Sequence, residues 1–434
     1  MVRGPGVAPR LAGMLGIVLG TDRIPVRLRA WDGSEAGSPG APVIEIRSRR
    51  TLRRLLWSPG QLGLSRAYVA GELDLPGDLF ATVAALTATG RLTEPVPLTA
   101  RERWRLLRSA AALGALGPEP APPPEEVHLA GIGGRHSKAR DAAAVSHHYD
   151  LGNDFYAVVL GPSMVYSCAV WDDPSGGLEA AQAAKHDLVC RKLGLRSGMR
   201  VLDVGCGWGA FALHAARHHE VDVVGVTLSP EQATLGRERV RAAGLAERID
   251  IRVQDYRDVD DGPFDAVSSI GMSEHVGDDQ IDGYASHLHG LLRPGARLLN
   301  HAIARRTGDP RRAGEARQDP STFMARYVFP DTEVLSLTRT IGALEAGGLE
   351  ILDVEALRLH YPLTLRAWAQ RLEEHWSEAV RLVGEGRART WRLYLVAAAW
   401  TFESGRQGVN QVLVQRPGGT PPPLARPWRT PADR

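Results

Sequence analysis

The stretch that most restricts how this chain can fold is VLDVGCGWGA, residues 201–210. A short apolar run ends at Asp203 and Val204, then passes into glycines at alternate positions, Gly205, Gly207 and Gly209. Glycine accepts backbone angles that other residues avoid and lets a ligand approach the main chain, so this is a strand turning tightly into a helix. The pattern then alternates. AFALHAARH reads as a helix, VDVVGVTLS as a strand, and PEQATLGRERVRAAG as a helix with Pro230 at its start and Gly244 at its end. IDIRVQD, FDAVSSIG and ARLLNHAIA are further strands. Strands alternating with helices predict an α/β fold: an open, Rossmann-like sheet with helices on both faces and a ligand cleft at the strand carboxyl ends.

The loop chemistry narrows the ligand. Residues 205–210 match G-x-G-x-x-A, a tolerated form of the dinucleotide fingerprint. The acidic residue that binds a ribose diol about 20 positions further on is missing, and Thr227 stands there. Asp203, at the strand end, suits a cationic or hydroxylated ligand better than a pyrophosphate. S-adenosylmethionine therefore ranks ahead of NAD, with a purely structural loop as the third reading.

Outside this core the chain divides. LGPEPAPPPEEVH, residues 116–128, holds five prolines and reads as an extended, semi-rigid linker. Before it, VRLRAWDG and PVIEIRS alternate as half-buried strands, and residues 53–86 read as helices broken at Pro59-Gly60. Residues 1–115 are thus a small α+β domain, 129–417 the catalytic domain, and 418–434 a proline- and arginine-rich disordered tail. Residues 1–116 carry 16 Arg and Lys against 9 Asp and Glu, a net of +7; with +2 overall, the remainder holds 2 − 7 = −5. A basic first domain suits an anionic partner, a phospholipid surface or nucleic acid, and equally a merely solvated face. Cys168, Cys190 and Cys206 are too scattered for a disulfide framework or a zinc site, and they fit a reducing cytosol. No metal site is expected. No apolar run reaches the roughly 18 residues of a membrane span; LAGMLGIVLG (11–20) is expected to be a core helix rather than a membrane-contact helix.

Several linked stretches go further: SHHYDLGNDFYAVVLGPSMVYSCAVW (146–171), VLDVGCGWGA, VTLSPEQ (226–232), GMSEHVG (271–277), RYVFPD (326–331), LHYPLTLRAW (359–368) and NQVLV (410–414). In this order they resemble the cyclopropane-fatty-acyl-phospholipid synthases, which include the mycolic acid cyclopropane synthases. The resemblance covers residues 140–416 strongly and the first domain loosely. It implies a class I S-adenosylmethionine-dependent methyltransferase that adds a methylene unit to the double bond of an unsaturated phospholipid acyl chain. The partner it implies is a membrane lipid and not nucleic acid, met at the cytoplasmic face of the membrane. A homodimer contact through the first domain stays open.

The resemblance also implies site residues. Tyr166 and Ser167 would lie against the methionine part of the cofactor, with Asp203, Gly205, Gly207 and Gly209 around the glycine loop. Thr227 and Gln232 would hold the ribose side, and Asp255 and Tyr256 would flank the adenine. A bicarbonate ion would be held by Cys168, Glu274, His301 and Tyr361, with Ile270 contributing backbone. His275 would have a structural job. His147, His148 and Tyr149 would line the entrance, and STFMARYVFP (321–330) and LYLVAAAWTF (393–402) would line an apolar tunnel. Ser273 stands where relatives often carry Phe, which widens the pocket. That leaves open a methylene or methyl-branched product, with a reductase partner, as the second reading; a small-molecule methyltransferase is the third.

Overall fold

A computed structural model describes residues 6–90, 97–127, 136–141, 151–306, 322–419, 421–422 and 424–429. The chain folds as two compact units. The first takes residues up to His128 and also 320–328 and 383–400 from the far end of the chain. The second takes the rest.

The first unit begins with helix α1 (Val7–Leu19), which buries Ala8, Leu11 and Leu19 as a core helix. Strands β1 (Arg27–Ala30), β2 (Glu35–Ala36), β3 (Val43–Ile46) and β4 (Leu73–Asp74) form a sheet in the order β2-β1-β3-β4. Helices α2 (Arg49–Trp57) and α3 (Gln61–Val69) form a hairpin across the Pro-Gly break, and α4 (Leu79–Thr87) starts on an Asp78 cap. Helix α5 (Ala100–Ala112) opens on a capping box between Thr99 and Glu102. The proline segment has no regular structure but is pinned at two points. Arg54 donates to the Ala121 carbonyl at 2.9 Å, and buried Glu126 takes a two-point ion pair from Arg66 at 2.8 Å each.

Residues 393–402, expected to line a tunnel, fall largely in the first unit. Up to Trp400 they belong to the first unit, where Val396 joins the core and Arg389 donates to the carbonyls of Tyr68 and Leu73. An arginine buried among main-chain acceptors fixes that helix to β4, a tertiary choice no local pattern reveals.

In the second unit, helices α6 (Asn153–Leu160) and α7 (Gly177–Leu193) precede the sheet. The sheet elements follow as β5 (Arg200–Val204), α8 (Ala210–His219), β6 (Asp222–Thr227), α9 (Pro230–Ala242), β7 (Ile249–Val253) and β8 (Phe264–Ile270). Then come α10 (Ser273–Val276), α11 (Ile281–Leu291), β9 (Leu292–Arg305), α12 (Leu337–Ala346), β10 (Glu350–Ala356), α13 (His360–Glu374) and β11 (Gln407–Gln415). Seven strands run in the order β10-β11-β9-β8-β5-β6-β7. β5 to β9 are parallel, and β11 and β10 close the edge antiparallel. Side-chain alternation on β5 feeds both faces. Val201 packs with Phe211 and Val189 of the helices on one side, and Leu202 with Tyr284 and Leu288 on the other. The strand order reverses between β5 and β8, so the glycine loop sits at the topological switch point, where open sheets bind ligands.

The expected disordered tail needs correction. Residues 427–429 form a short turn in which Trp428 is 4% exposed. Its indole N–H and the Arg429 guanidinium both donate to Asp353, at 3.1 and 2.7 Å. A buried tryptophan and a charge-assisted clasp outweigh the composition of the segment.

Candidate active site

The loop after β5 is built on positive φ angles: 76° at Gly205, 54° at Gly207 and 76° at Gly209. Only glycine adopts these freely. Gly205 N–H and Cys206 N–H both donate to the Val226 carbonyl at 3.0 Å, which clips the loop to β6. Gly205 and Gly207 line a cavity in the second unit. Gly209 does not: it caps α8, and a side chain there would strike Ile251 Cδ1 at 2.8 Å. That close packing is a structural reason for glycine at this position.

The remaining expected cofactor residues all line this cavity: Tyr166, Ser167, Asp203, Thr227, Gln232, Asp255 and Tyr256. Most are held by one another or by near neighbours. The Thr227 hydroxyl donates to Gln232 Oε1 at 2.8 Å, and Gln232 N–H donates to Ser229 Oγ at 3.2 Å. Asp255 accepts from the Arg257 side chain through both oxygens, at 2.8 and 2.6 Å, and from Arg257 N–H at 2.9 Å. These bonds hold its carboxyl below the usual range despite burial. The Tyr256 ring packs edge-on to Tyr284, and Tyr166 leans on Trp368. Asp203, 2% exposed, is pushed up to about 7 by burial.

The residues matched to a bicarbonate site are arranged differently. Of the five, only Ile270 lines the cavity; Cys168, Glu274, His301 and Tyr361 do not, although all four are buried. Ile270 and His301 are register partners across β8 and β9, and Gln411 is the partner of His301 on β11. Glu274 Oε1 accepts from Ile303 N–H at 2.7 Å, so Glu274 is tied to the same stretch of β9. Its other oxygen, Oε2, is buried without a partner among the described residues, and burial pushes the carboxyl up to about 7. His301 Nδ1 faces the Gln411 amide at 3.2 Å, while Nε2 is buried and unpartnered. Burial moves its pKa down to about 3, so the ring is neutral. With Nδ1 accepting from Gln411, Nε2 carries the proton. The pair thus offers one buried acceptor and one buried donor. Cys168 lies on the segment that packs on α13. Its S–H faces the Ala169 carbonyl at 3.3 Å, and burial pushes the thiol up, so it is not a thiolate. Tyr361 packs against Phe402 and Trp368.

Several cavity residues were not assigned from sequence. Lys185 is 1% exposed, lines the cavity, and donates to Ser167 Oγ at 3.2 Å. Burial pulls its pKa down to about 7. Lys185 and Lys192 fall seven apart on the buried stripe of α7, which was the available signal. Arg257 and His275 also line the cavity, so His275 borders the ligand space rather than only supporting its neighbour. Of residues 321–330, Pro330 reaches the cavity and the helix Phe323–Tyr327 does not. His147, His148 and Tyr149 lie outside the described residues.

Residues 136–412 match the family model described as mycolic acid cyclopropane synthetase. A probable fatty acid methyltransferase of Mycobacterium tuberculosis is 41% identical over 432 residues, covering 97% of this chain and 98% of its own. The cyclopropane-fatty-acyl-phospholipid synthase of Escherichia coli K12 is 37% identical over 280 residues, covering 64% of this chain and 69% of its own. The crystal structure of mycolic acid cyclopropane synthase CmaA1, complexed with SAH and CTAB, superposes with a TM-score of 0.59 at 33% identity. It covers 63% of this chain and 98% of that one.

Proposed function

We propose, for a chain that belongs to the mycolic acid cyclopropane synthetase family and is an S-adenosylmethionine-dependent methyltransferase, that the acceptor is the double bond of an unsaturated phospholipid acyl chain and the product a cyclopropane ring. The supporting observation is the pair of buried, unpartnered polar atoms, Glu274 Oε2 and His301 Nε2, tied through β9 to the cavity wall at Ile270. Methyl transfer to oxygen or nitrogen needs no such pair. An alkene does, because its π electrons form the new C–C bond as the C–S bond breaks, and a carbocation is left. A carbon-bound proton must then leave for the ring to close.

S-adenosylmethionine supplies the methyl group. A bicarbonate ion held at this pair would supply the base; it both accepts and donates, as a partner for a buried carboxylate oxygen and a buried imidazole N–H must. The protein's share is positional. Glu274, fixed at Oε1 by Ile303 N–H, would orient the base through Oε2. His301, fixed by Gln411, would donate from Nε2. Tyr166, which lines the cavity and packs on Trp368, would offer π density to a developing cation. Thr227, Gln232, Asp255 and Tyr256 would hold the adenosine, and Ser167 with Lys185 the amino-acid end. A buried site keeps water from trapping the cation as an alcohol.

A second reading gives a methylene or methyl-branched chain from the same first step. Buried Ser273 beside Glu274 favours it, as does full-length similarity to a fatty acid methyltransferase. The test is incubation of purified protein with monounsaturated phospholipid vesicles and S-adenosylmethionine carbon-13 labelled in the methyl group. Carbon-13 NMR of the extracted lipid is expected to show a ring methylene. A vinylidene or methyl carbon would install the second reading, and label absent from lipid would reject both.

A further inference from the structure

The first unit carries an anomaly that the chemistry of the second does not use. Its sheet arginines are neutralised: Arg27 and Arg29 pair with Glu35, and Arg47 with Asp74. On α2, Arg50 and Arg54 pair with Glu72, but other arginines of α2 and α5 are not neutralised. Arg49, Arg53, Arg101, Arg105 and Arg108 have no carboxylate within 4 Å among the described residues. Among them stand large apolar side chains open to solvent: Trp57 at 54%, Leu116 at 55% and Trp104 at 62% exposed, with Leu56 and Leu107 near 40%. Unpaired cations beside exposed aromatics are a costly surface in water unless something covers it.

The elements are tied together. Arg53 donates to the carbonyls of Ala115 and Leu116 at 3.2 Å each, and the Trp57 indole N–H to the Gly117 carbonyl at 3.0 Å. The segment leaving α5 therefore runs along α2 and sets Leu116 beside Trp57. On α5, Arg101, Arg105 and Arg108 recur at helical spacing, and Trp104 and Leu107 lie one turn apart between them.

We infer that this α2–α5 face docks on an anionic phospholipid surface, with Trp57, Trp104 and Leu116 entering the headgroup boundary and the arginines meeting lipid phosphates. Indoles favour that boundary, and long basic side chains reach from an apolar stem to a phosphate. A second copy of the chain fits less well, because a two-fold contact would oppose arginines to arginines. Nucleic acid would answer the charge and leave Leu56, Leu107 and Leu116 uncovered. The inference rests on the lipid-substrate reading and supplies how the enzyme reaches its membrane.

The experiment is co-sedimentation of the full chain with vesicles of phosphatidylglycerol and phosphatidylcholine, beside vesicles of phosphatidylcholine alone. Binding to the anionic vesicles is expected, with a blue shift of tryptophan emission, and it should weaken at least tenfold on raising salt. Trp57→Ser with Trp104→Ser, and separately Arg101→Gln with Arg105→Gln and Arg108→Gln, should each weaken it several-fold while the thermal transition holds. Activity on monounsaturated lipid dispersed in detergent should be unchanged in both. Equal binding of variants and wild type, or wild-type binding indifferent to salt and to lipid charge, overturns the inference. So does a duplex oligonucleotide binding more tightly than anionic vesicles, or a dimer that dissociates in the variants. Normal vesicle binding by a wild type inactive on dispersed lipid would instead overturn the substrate reading and leave the docking face standing.

Discussion

The two ends of the candidate site satisfy their polar groups in opposite ways. At the adenosine end, side chains already answer one another: Thr227 bonds to Gln232, and Asp255 is clasped by Arg257 at three points. At the β9 end, Glu274 Oε2 and His301 Nε2 are buried with nothing to answer them. A buried carboxylate oxygen left bare costs on the order of 1–3 kcal/mol, so it persists where function requires it. On the proposed reading, the first end would be a preformed cradle that the cofactor joins, and the second a bonding set that a bound ion would complete.

Substitutions can break that contrast, and the largest effect falls on the incomplete end. Glu274→Gln should cut turnover by about 10²–10⁴-fold, the range of a lost acid–base function, while calorimetric affinity for S-adenosylhomocysteine stays within about twofold. Comparable losses in both quantities would mean that the two ends are one unit. Arg257→Met should show the reverse. Loss of a charged hydrogen-bond set worth about 1.5–3 kcal/mol weakens cofactor binding by roughly tenfold or more, with turnover at saturating cofactor nearly intact.

A pH profile sharpens the contrast. Glu274 is pushed up to about 7, and it must be ionised to orient a base. Activity should therefore rise about tenfold per unit below pH 7 and level off above it, and Glu274→Gln should lose that limb. The smallest expected effect concerns stability. A carboxyl whose folded pKa is raised stabilises fully below its unfolded value near 4.5 and loses that contribution as pH rises through about 7. At pH 8 the charged carboxylate is thus a burden. Glu274→Gln should melt a few degrees higher than wild type at pH 8, with the gap closing at pH 5, as differential scanning calorimetry would show.

Much of the second unit was legible in sequence because its signals are local. The glycine loop, β6, α9 and β8 each declare themselves within ten or so residues, and a parallel sheet buried on both faces reads as apolar runs. The expected cofactor residues came from the resemblance, and all but Gly209 line the cavity beside that loop. What escaped is tertiary. Lys185 received no role from sequence, and its place on the buried stripe of α7 emerges only with the fold. Residues 393–402 read as a tunnel wall, yet up to Trp400 they belong to the first unit, where Val396 joins the core. Trp428 sits in a sequence composed like a disordered tail, and distant partners explain its burial: the apolar cluster it joins, Arg191 on its carbonyl and Asp353 on its indole. Gly209 shows a packing reason that the motif itself does not reveal: a side chain there would meet Ile251.

The measurement that tests the central claim most directly is gas chromatography with mass spectrometry of total fatty acids. The host should make monounsaturated chains, lack its own synthase, and express either the wild type or Glu274→Gln. The account predicts chains heavier by one CH2 unit with the double bond gone in the wild type, and their loss in the variant. Unchanged fatty acids from a wild type that binds S-adenosylmethionine, or full product from Glu274→Gln, would contradict it.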